Sequence, residues 1–214
     1  MASEQKSILI INGSIRGTEG NCWALSTMAA SYLRTNLHTA ASIFTLTDPK
    51  PPIPEVYEMI NDHDGLLVVT GAYWNNWSSS LQRFIEVVTA FENSPAFFGK
   101  PVACAVTMDS VGGIEVAARI HAIFSGLGCW SPPCSTVVLS RVGQEAITAS
   151  KGREDNPNDD VWCREDLHIV LQNLVTATSF PREAWISWPH IGLKVPDQPW
   201  PEQGPLNMNT PKFL

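Results

Sequence analysis

Apolar residues fall into short unbroken runs, separated by longer stretches in which they recur every three or four positions. Ile8 to Ile11, Leu66 to Thr70 and Val102 to Val106 are too short for helices and too continuously apolar for strands with one wet face. Each therefore reads as a strand buried on both sides. Ala41 to Leu46 and Val137 to Leu139 are shorter or more polar strands of the same series. Between the strands the spacing changes to that of one buried helical face. The first such stretch carries Leu25, Met28, Ala29, Tyr32, Leu33 and Leu37, with Asn21 as the cap of a helix that starts at Cys22 and ends near His38. Val56, Met59 and Ile60 mark a second helix. Ser78 caps a third with Leu81, Phe84, Ile85, Val88 and Phe91 on its stripe, and Val116, Ile120, Ile123 and Leu127 mark a fourth. Strands alternating with helices describe an α/β fold, a doubly wound five-stranded parallel sheet. Ligands of such sheets sit beyond the C-terminal strand ends where the strand order reverses, so the first, third and fourth exit loops are expected to meet there.

After Ser140 the pattern changes. Gln144 to Asp160 is polar and reads as a linker, and its acidic part, Glu154 to Asp160, as a solvated stretch rather than a calcium loop. Pro157 interrupts it, and both the loop glycine and the closing glutamate are missing. Leu167, Val170, Leu171, Leu174 and Val175 then form a last helix. Residues 1–180 are expected to make one domain and residues 181–214 a Pro/Trp-rich extended C-terminal arm. Trp185, Trp188, Trp200 and Phe213 argue that the arm packs on its own domain or on a second subunit, because disordered tails are poor in aromatics. The expectation is a homo-oligomer, a dimer or tetramer, in which the arm covers part of a partner's surface.

Composition narrows the function. The chain has 214 residues, 44% of them hydrophobic, enough for one substantial core. A net charge of −7 and no cluster of Lys and Arg argue against a nucleic-acid surface. No run approaches the roughly 18 apolar residues of a membrane span, and the start has no signal-peptide pattern, so a cytoplasmic location with no membrane partner is expected. Cys22, Cys104, Cys129, Cys134 and Cys163 show neither a Cys-x-x-Cys pair nor zinc spacing, so no metal site is expected. Cys104 reads as core. For Cys22, a helix N-terminus beside Arg16 raises the alternative of a thiol with a lowered pKa.

The loop after the first strand suits an anion. Gly13 and Gly17 permit a tight turn and close approach, Ser14 offers a hydroxyl, Arg16 offers a charged fork, and the following helix presents free N–H groups. A helix N-terminus contributes roughly 0.3–1 kcal/mol toward an anion and an Arg hydrogen bond roughly 1.5–3 kcal/mol, so Arg16 should dominate. The competing reading is an ordinary strand-to-helix turn with a solvated Arg. No nucleotide-triphosphate loop, dinucleotide fingerprint, nucleophile elbow or His-Glu-x-x-His zinc motif is present, and the five histidines are scattered. With no catalytic side chain evident, a cofactor that performs the chemistry itself is the economical expectation.

Three segments carry a family resemblance. Gly13-Ser14-Ile15-Arg16 followed by Gly20-Asn21-Cys22 resembles the phosphate loop of the flavodoxin-like NAD(P)H-dependent FMN reductases, with Cys22 where a hydroxyl residue is usual. Gly71-Ala72-Tyr73-Trp74-Asn75-Asn76-Trp77-Ser78-Ser79-Ser80-Leu81-Gln82 resembles their second flavin loop, with Gly71 for the usual proline and Gln82 for the usual lysine. Met108 to Gly113 resembles the third. The resemblance implies a flavodoxin-like strand order 2-1-3-4-5 and bound FMN. It implies that Ser14, Arg16, Asn21 and the N–H groups of Gly20, Cys22 and Trp23 hold the phosphate. Ala72, Tyr73, Trp74 and Asn75, with Met108, Asp109, Ser110, Gly112 and Gly113, would then frame the isoalloxazine. Asp109 could accept a hydrogen bond from the flavin N3–H or a substrate amide, or cap the following helix, and the cap is the favoured reading. The implied reaction moves hydride from NAD(P)H to the flavin and then to a small-molecule electron acceptor such as a quinone, flavin, azo compound or metal ion. A flavodoxin-type electron carrier and a flavin-free binding protein that keeps the fold are the alternatives. Rapid bleaching of bound flavin by NAD(P)H alone would separate the reductase from both.

Overall fold

The computed structural model describes residues 5–149, 163–188 and 195–203. Five strands, β1 (Ser7–Asn12), β2 (Ala40–Thr45), β3 (Gly65–Gly71), β4 (Val102–Met108) and β5 (Thr136–Ser140), form one all-parallel sheet in the order β2-β1-β3-β4-β5. This is the expected flavodoxin-like arrangement. Six α-helices are described, α1 (Gly20–Thr35), α2 (Ile53–Asn61), α3 (Ser79–Val88), α4 (Gly113–Leu127), α5 (Arg141–Ala149) and α6 (Asp166–Ala177). No described helix is long and apolar enough to cross a membrane.

The unbroken apolar runs follow from burial on both faces. Leu9, Ile11, Leu66, Val68, Val102 and Val106 point into one cluster with the apolar faces of α2, α3 and α4. Ile8, Ile10, Leu67, Val69, Ala103 and Ala105 point into the other, against α1 and α6. Each of the larger side chains contributes about 1.5–3 kcal/mol by leaving water, so a polar residue at any of these positions works against the fold.

Three local expectations are corrected. Helix α1 begins at Gly20 rather than Cys22: its cap is Glu19, in extended backbone and without a side-chain cap bond, which places Asn21 inside the first turn. It also ends at Thr35, short of His38, whose φ of 49° lies outside helical backbone. Residues 141–149, partly assigned to a linker, form α5, held at its start by Val142 N–H donating to Asp109 O at 3.1 Å. The acidic stretch Glu154 to Asp160 lies outside the described residues.

Residues 195–203 of the arm run back over their own domain. Trp200 is buried and stacks on Phe84 with ring centroids 6.2 Å apart. Ile53 N–H donates to Gln198 O at 3.0 Å, and Arg83 Nε–H donates to Pro201 O at 2.8 Å. Trp185 and Trp188 stay exposed, and Phe213 lies outside the described residues.

Candidate functional site

The first exit loop is held in shape mainly by Asn12, buried at the end of β1. Its side-chain amide donates to Gly17 O at 2.8 Å, and its Oδ1 accepts from Ser14 N–H at 3.3 Å. Gly13 N–H donates to Val69 O at 2.8 Å, and Ser78, the side-chain cap of α3, donates its hydroxyl to Gly13 O. Ser14 Oγ accepts from Arg16 N–H at 3.1 Å, which leaves its own proton to donate. Gly17 is required: at φ +58°, a Cβ there would lie 2.5 Å from Thr47 Oγ1.

These bonds leave a set of donors over. Among the described residues the N–H groups of Ile15 and Thr18 find no acceptor, and those of Gly20, Asn21 and Cys22 belong to the first helical turn, which has no intrahelical partners to offer. Trp23 is the fourth helical residue, where the N–H enters the helical ladder, so it is not part of this set. The Arg16 guanidinium is exposed and makes no ion pair or hydrogen bond among the described residues.

A cavity of about 320 Å³ opens beside this loop. Of the expected site residues, Ser14, Arg16, Asn21, Cys22, Ala72, Tyr73, Met108 and Asp109 line it, joined by Gly71, Thr107 and Arg141. Gly20, Trp23, Trp74, Asn75, Ser110, Gly112 and Gly113 are not part of the lining. A second cavity of about 430 Å³ shares Asn21, Thr107, Met108 and Arg141 with the first. Both volumes fall in the range of small-molecule sites.

The second and third loops are packed on one another. Ala72 N–H donates to Thr107 O at 2.7 Å. Gly112, at φ +88°, sits so close to Asn75 that a Cβ would meet Asn75 Oδ1 at 2.3 Å and its Cα at 2.9 Å. Arg119 of α4 donates to Asn75 O at 3.2 Å and lies 4.5 Å over the Trp77 ring. Gly113 N–H points at Met108 Sδ, 3.3 Å away.

Asp109 does not cap α4. The cap position is Gly112, with no side-chain bond, and the Asp109 carboxylate accepts from Arg141 Nε at 2.5 Å. Arg141 also pairs with Glu145 at 2.7 Å. Arg141 was missed because α5 was missed. Its legible signal was the i, i+4 spacing of Arg141 and Glu145, a helical charge pair inside an otherwise polar stretch.

The alternative of an activated Cys22 is also corrected. The thiol is buried, with Sγ 3.3 Å from Thr107 Oγ1, and burial pushes its pKa up rather than down, despite hydrogen bonds from Thr107 and Ser14 that pull the other way. Burial likewise raises the Tyr73 phenol, with the Cys22 charge adding and Arg16 opposing. At neutral pH, iodoacetamide should therefore alkylate Cys22 more slowly than exposed Cys134, measured by peptide mass spectrometry over a time course. Faster labelling of Cys22 would contradict this assignment.

Solved structures share this fold at low identity. RosB, solved with a bound 8-demethyl-8-formylriboflavin-5'-phosphate intermediate, matches with a TM-score of 0.63 at 13% identity, over 82% of this chain and 79% of its own. The NADH:FMN oxidoreductase EMOB matches with a TM-score of 0.58 at 14% identity, over 86% of this chain and 92% of its own. The rubredoxin oxygen:oxidoreductase of the anaerobe Desulfovibrio gigas matches with a TM-score of 0.58 at 13% identity, over 81% of this chain, which spans 37% of that longer protein. None of the curated proteins matches the sequence. The family described as NADPH-dependent FMN reductase matches residues 7–144, a span that contains β1 to β5 and all three exit loops. The chain belongs to the NADPH-dependent FMN reductase family.

Proposed function

We propose that this protein binds FMN in the cavity at the C-terminal end of the sheet and uses it to pass reducing equivalents from NAD(P)H to a small-molecule electron acceptor. The observation that carries this reading is the surplus of donors in the first exit loop. Among the described residues the N–H groups of Ile15, Thr18, Gly20, Asn21 and Cys22 and the Arg16 guanidinium lack an acceptor, and Ser14, Arg16, Asn21 and Cys22 of this segment line the cavity. A phosphate monoester is the group whose charge and acceptor oxygens answer that set. The rest of the cavity, walled by Ala72, Tyr73, Thr107 and Met108, offers the mixed apolar and backbone surface that a flat ring needs.

In this reading Arg16 and the loop amides fix the phosphate end and so set the depth of the ring. Tyr73, whose phenol keeps its proton well above neutral pH, and Met108 exclude water from the ring's edges. When bound, FMN supplies an acceptor for hydride and a donor of electrons, chemistry that no side chain here provides. The fold family supports FMN and a reductase reaction, and the homo-oligomeric assembly remains part of the proposal. The test is anaerobic mixing of the purified, FMN-loaded protein with NADPH or NADH. Loss of the flavin absorbance near 450 nm without any partner protein is the expected result. Failure to retain flavin would overturn the reading, and retained flavin that neither nucleotide bleaches would favour the electron carrier.

A further inference from the structure

Trp74 combines backbone strain with full exposure. Its φ of 49° and the 59° of Asn75 put both central residues of the Tyr73–Asn76 turn in the left-handed region, the geometry of a type I′ turn that Gly and Asn ordinarily supply. A bulky aromatic residue there is an outlier, and such strain persists only where the surroundings enforce it. They do enforce it. Tyr73 N–H donates to Asn76 O at 2.7 Å and Asn76 N–H to Tyr73 O at 3.0 Å, while Arg119 holds Asn75 O and Gly112 closes on Asn75 from outside. Yet the indole is 100% exposed, so the fold gains no burial from it.

The position of the turn gives the strain a use. Tyr73, the preceding residue, lines the cavity, whereas Trp74 does not. Exposed Ile15, Val111 and Val142 come from the other exit segments at the same end of the sheet, and Trp74 is the largest and most exposed apolar side chain among them. We infer that Trp74 is a positioning residue for the electron acceptor: a planar aromatic acceptor stacks on the outward indole face while it waits at the cavity. This rests on the reading of the cavity as the flavin site, and it moves Trp74 from the cofactor's wall to the acceptor's. Overall, NAD(P)H, a proton and a quinone yield NAD(P)⁺ and a hydroquinone. The hydride brings both electrons and one proton, solvent brings the other proton, and Trp74 exchanges neither.

The experiment uses full-length, FMN-loaded protein with two acceptors, the flat 2-methyl-1,4-naphthoquinone and ferricyanide, which has no planar face. Trp74→Asn suits the turn and Trp74→Phe keeps an aromatic ring. Trp74→Asn should raise the quinone KM roughly 3- to 10-fold with kcat retained, and Trp74→Phe should recover most of that loss. The ferricyanide KM should not move, and the melting temperature of Trp74→Asn should rise because the strain is relieved, which a merely structural tryptophan would not show. An unchanged quinone KM, or an equal rise for both acceptors, overturns the inference. So does weaker FMN binding in Trp74→Asn, which would return the indole to the cofactor. A smaller particle mass by light scattering also overturns it, because the indole would then lie between copies of the chain. Absence of bound flavin in the unmodified protein overturns the underlying reading itself, and is seen before any variant is compared.

Discussion

Arg16→Ala should weaken FMN binding by about 10- to 100-fold, the factor expected when one hydrogen-bonded charge is lost from a phosphate site. Arg16 is the only group in the donor set with a full charge. The helix α1 dipole and the loop amides, which remain in the variant, contribute about 0.3–1 kcal/mol for the dipole and less than a charged bond for each amide. Arg16→Lys should recover part of the loss, since a point charge replaces a planar fork. Because Arg16 is exposed, the difference between wild type and variant should shrink as ionic strength rises. Flavin fluorescence titration measures all three, and an affinity unchanged by Arg16→Ala would remove the phosphate from this loop.

Gly112→Ala should cost about 2–5 kcal/mol of stability, combining roughly 1–2 kcal/mol for a side chain in left-handed backbone with roughly 1–3 kcal/mol for overpacking. The obstacle is backbone as well as side chain: the new methyl would lie 2.9 Å from Asn75 Cα and 3.0 Å from Asn75 N, and neither can swing aside. In a chain of this size the loss should appear as a fall in melting temperature on the order of 5–10 °C. Gly126→Ala is the internal control. Nothing lies within 4 Å of its Cβ position, so an alanine in this last turn of α4 gains helix propensity and the melting temperature should hold or rise. Equal effects of the two substitutions would show that the two loops are not braced at Gly112.

Strands β1, β3 and β4 were legible because burial on both faces forces an unbroken apolar run, and Ile8 to Ile11 are all fully buried. Ser78 was legible for a similar reason, since its hydroxyl accepts the Leu81 N–H as a cap should. The start of α1 was not. Asn21 has the chemistry of a cap, but the cap position falls on Glu19, in extended backbone and without a side-chain bond, so Asn21 lies in the first turn. Helix α5 was hidden because it is only nine residues long and its apolar residues are interrupted by Gly143, Gln144 and Glu145, and Arg141 in the cavity was hidden with it. Asp109 illustrates a different limit: a carboxylate at the head of a helix predicts a cap, and only the arrival of α5 shows that Arg141 competes for it. The segments of the site were readable from their glycines and polar residues, whereas which of them face inward depended on backbone angles. Trp74 was assigned to the wall from its neighbours in sequence and turns outward because the type I′ geometry reverses the chain there.

The segment around Trp200 gives the molecule an unequal weak side. Its ties to α2 and α3 join residues more than a hundred positions apart, as in the 118-residue separation of Arg83 and Pro201. Such a clasp forms late in folding and can release while the sheet stays whole. A protease that trims the tail would therefore uncover Phe84 and the helices beside it without touching the cavity end of the sheet, leaving a protein whose cavity persists when cool and which clumps when warmed.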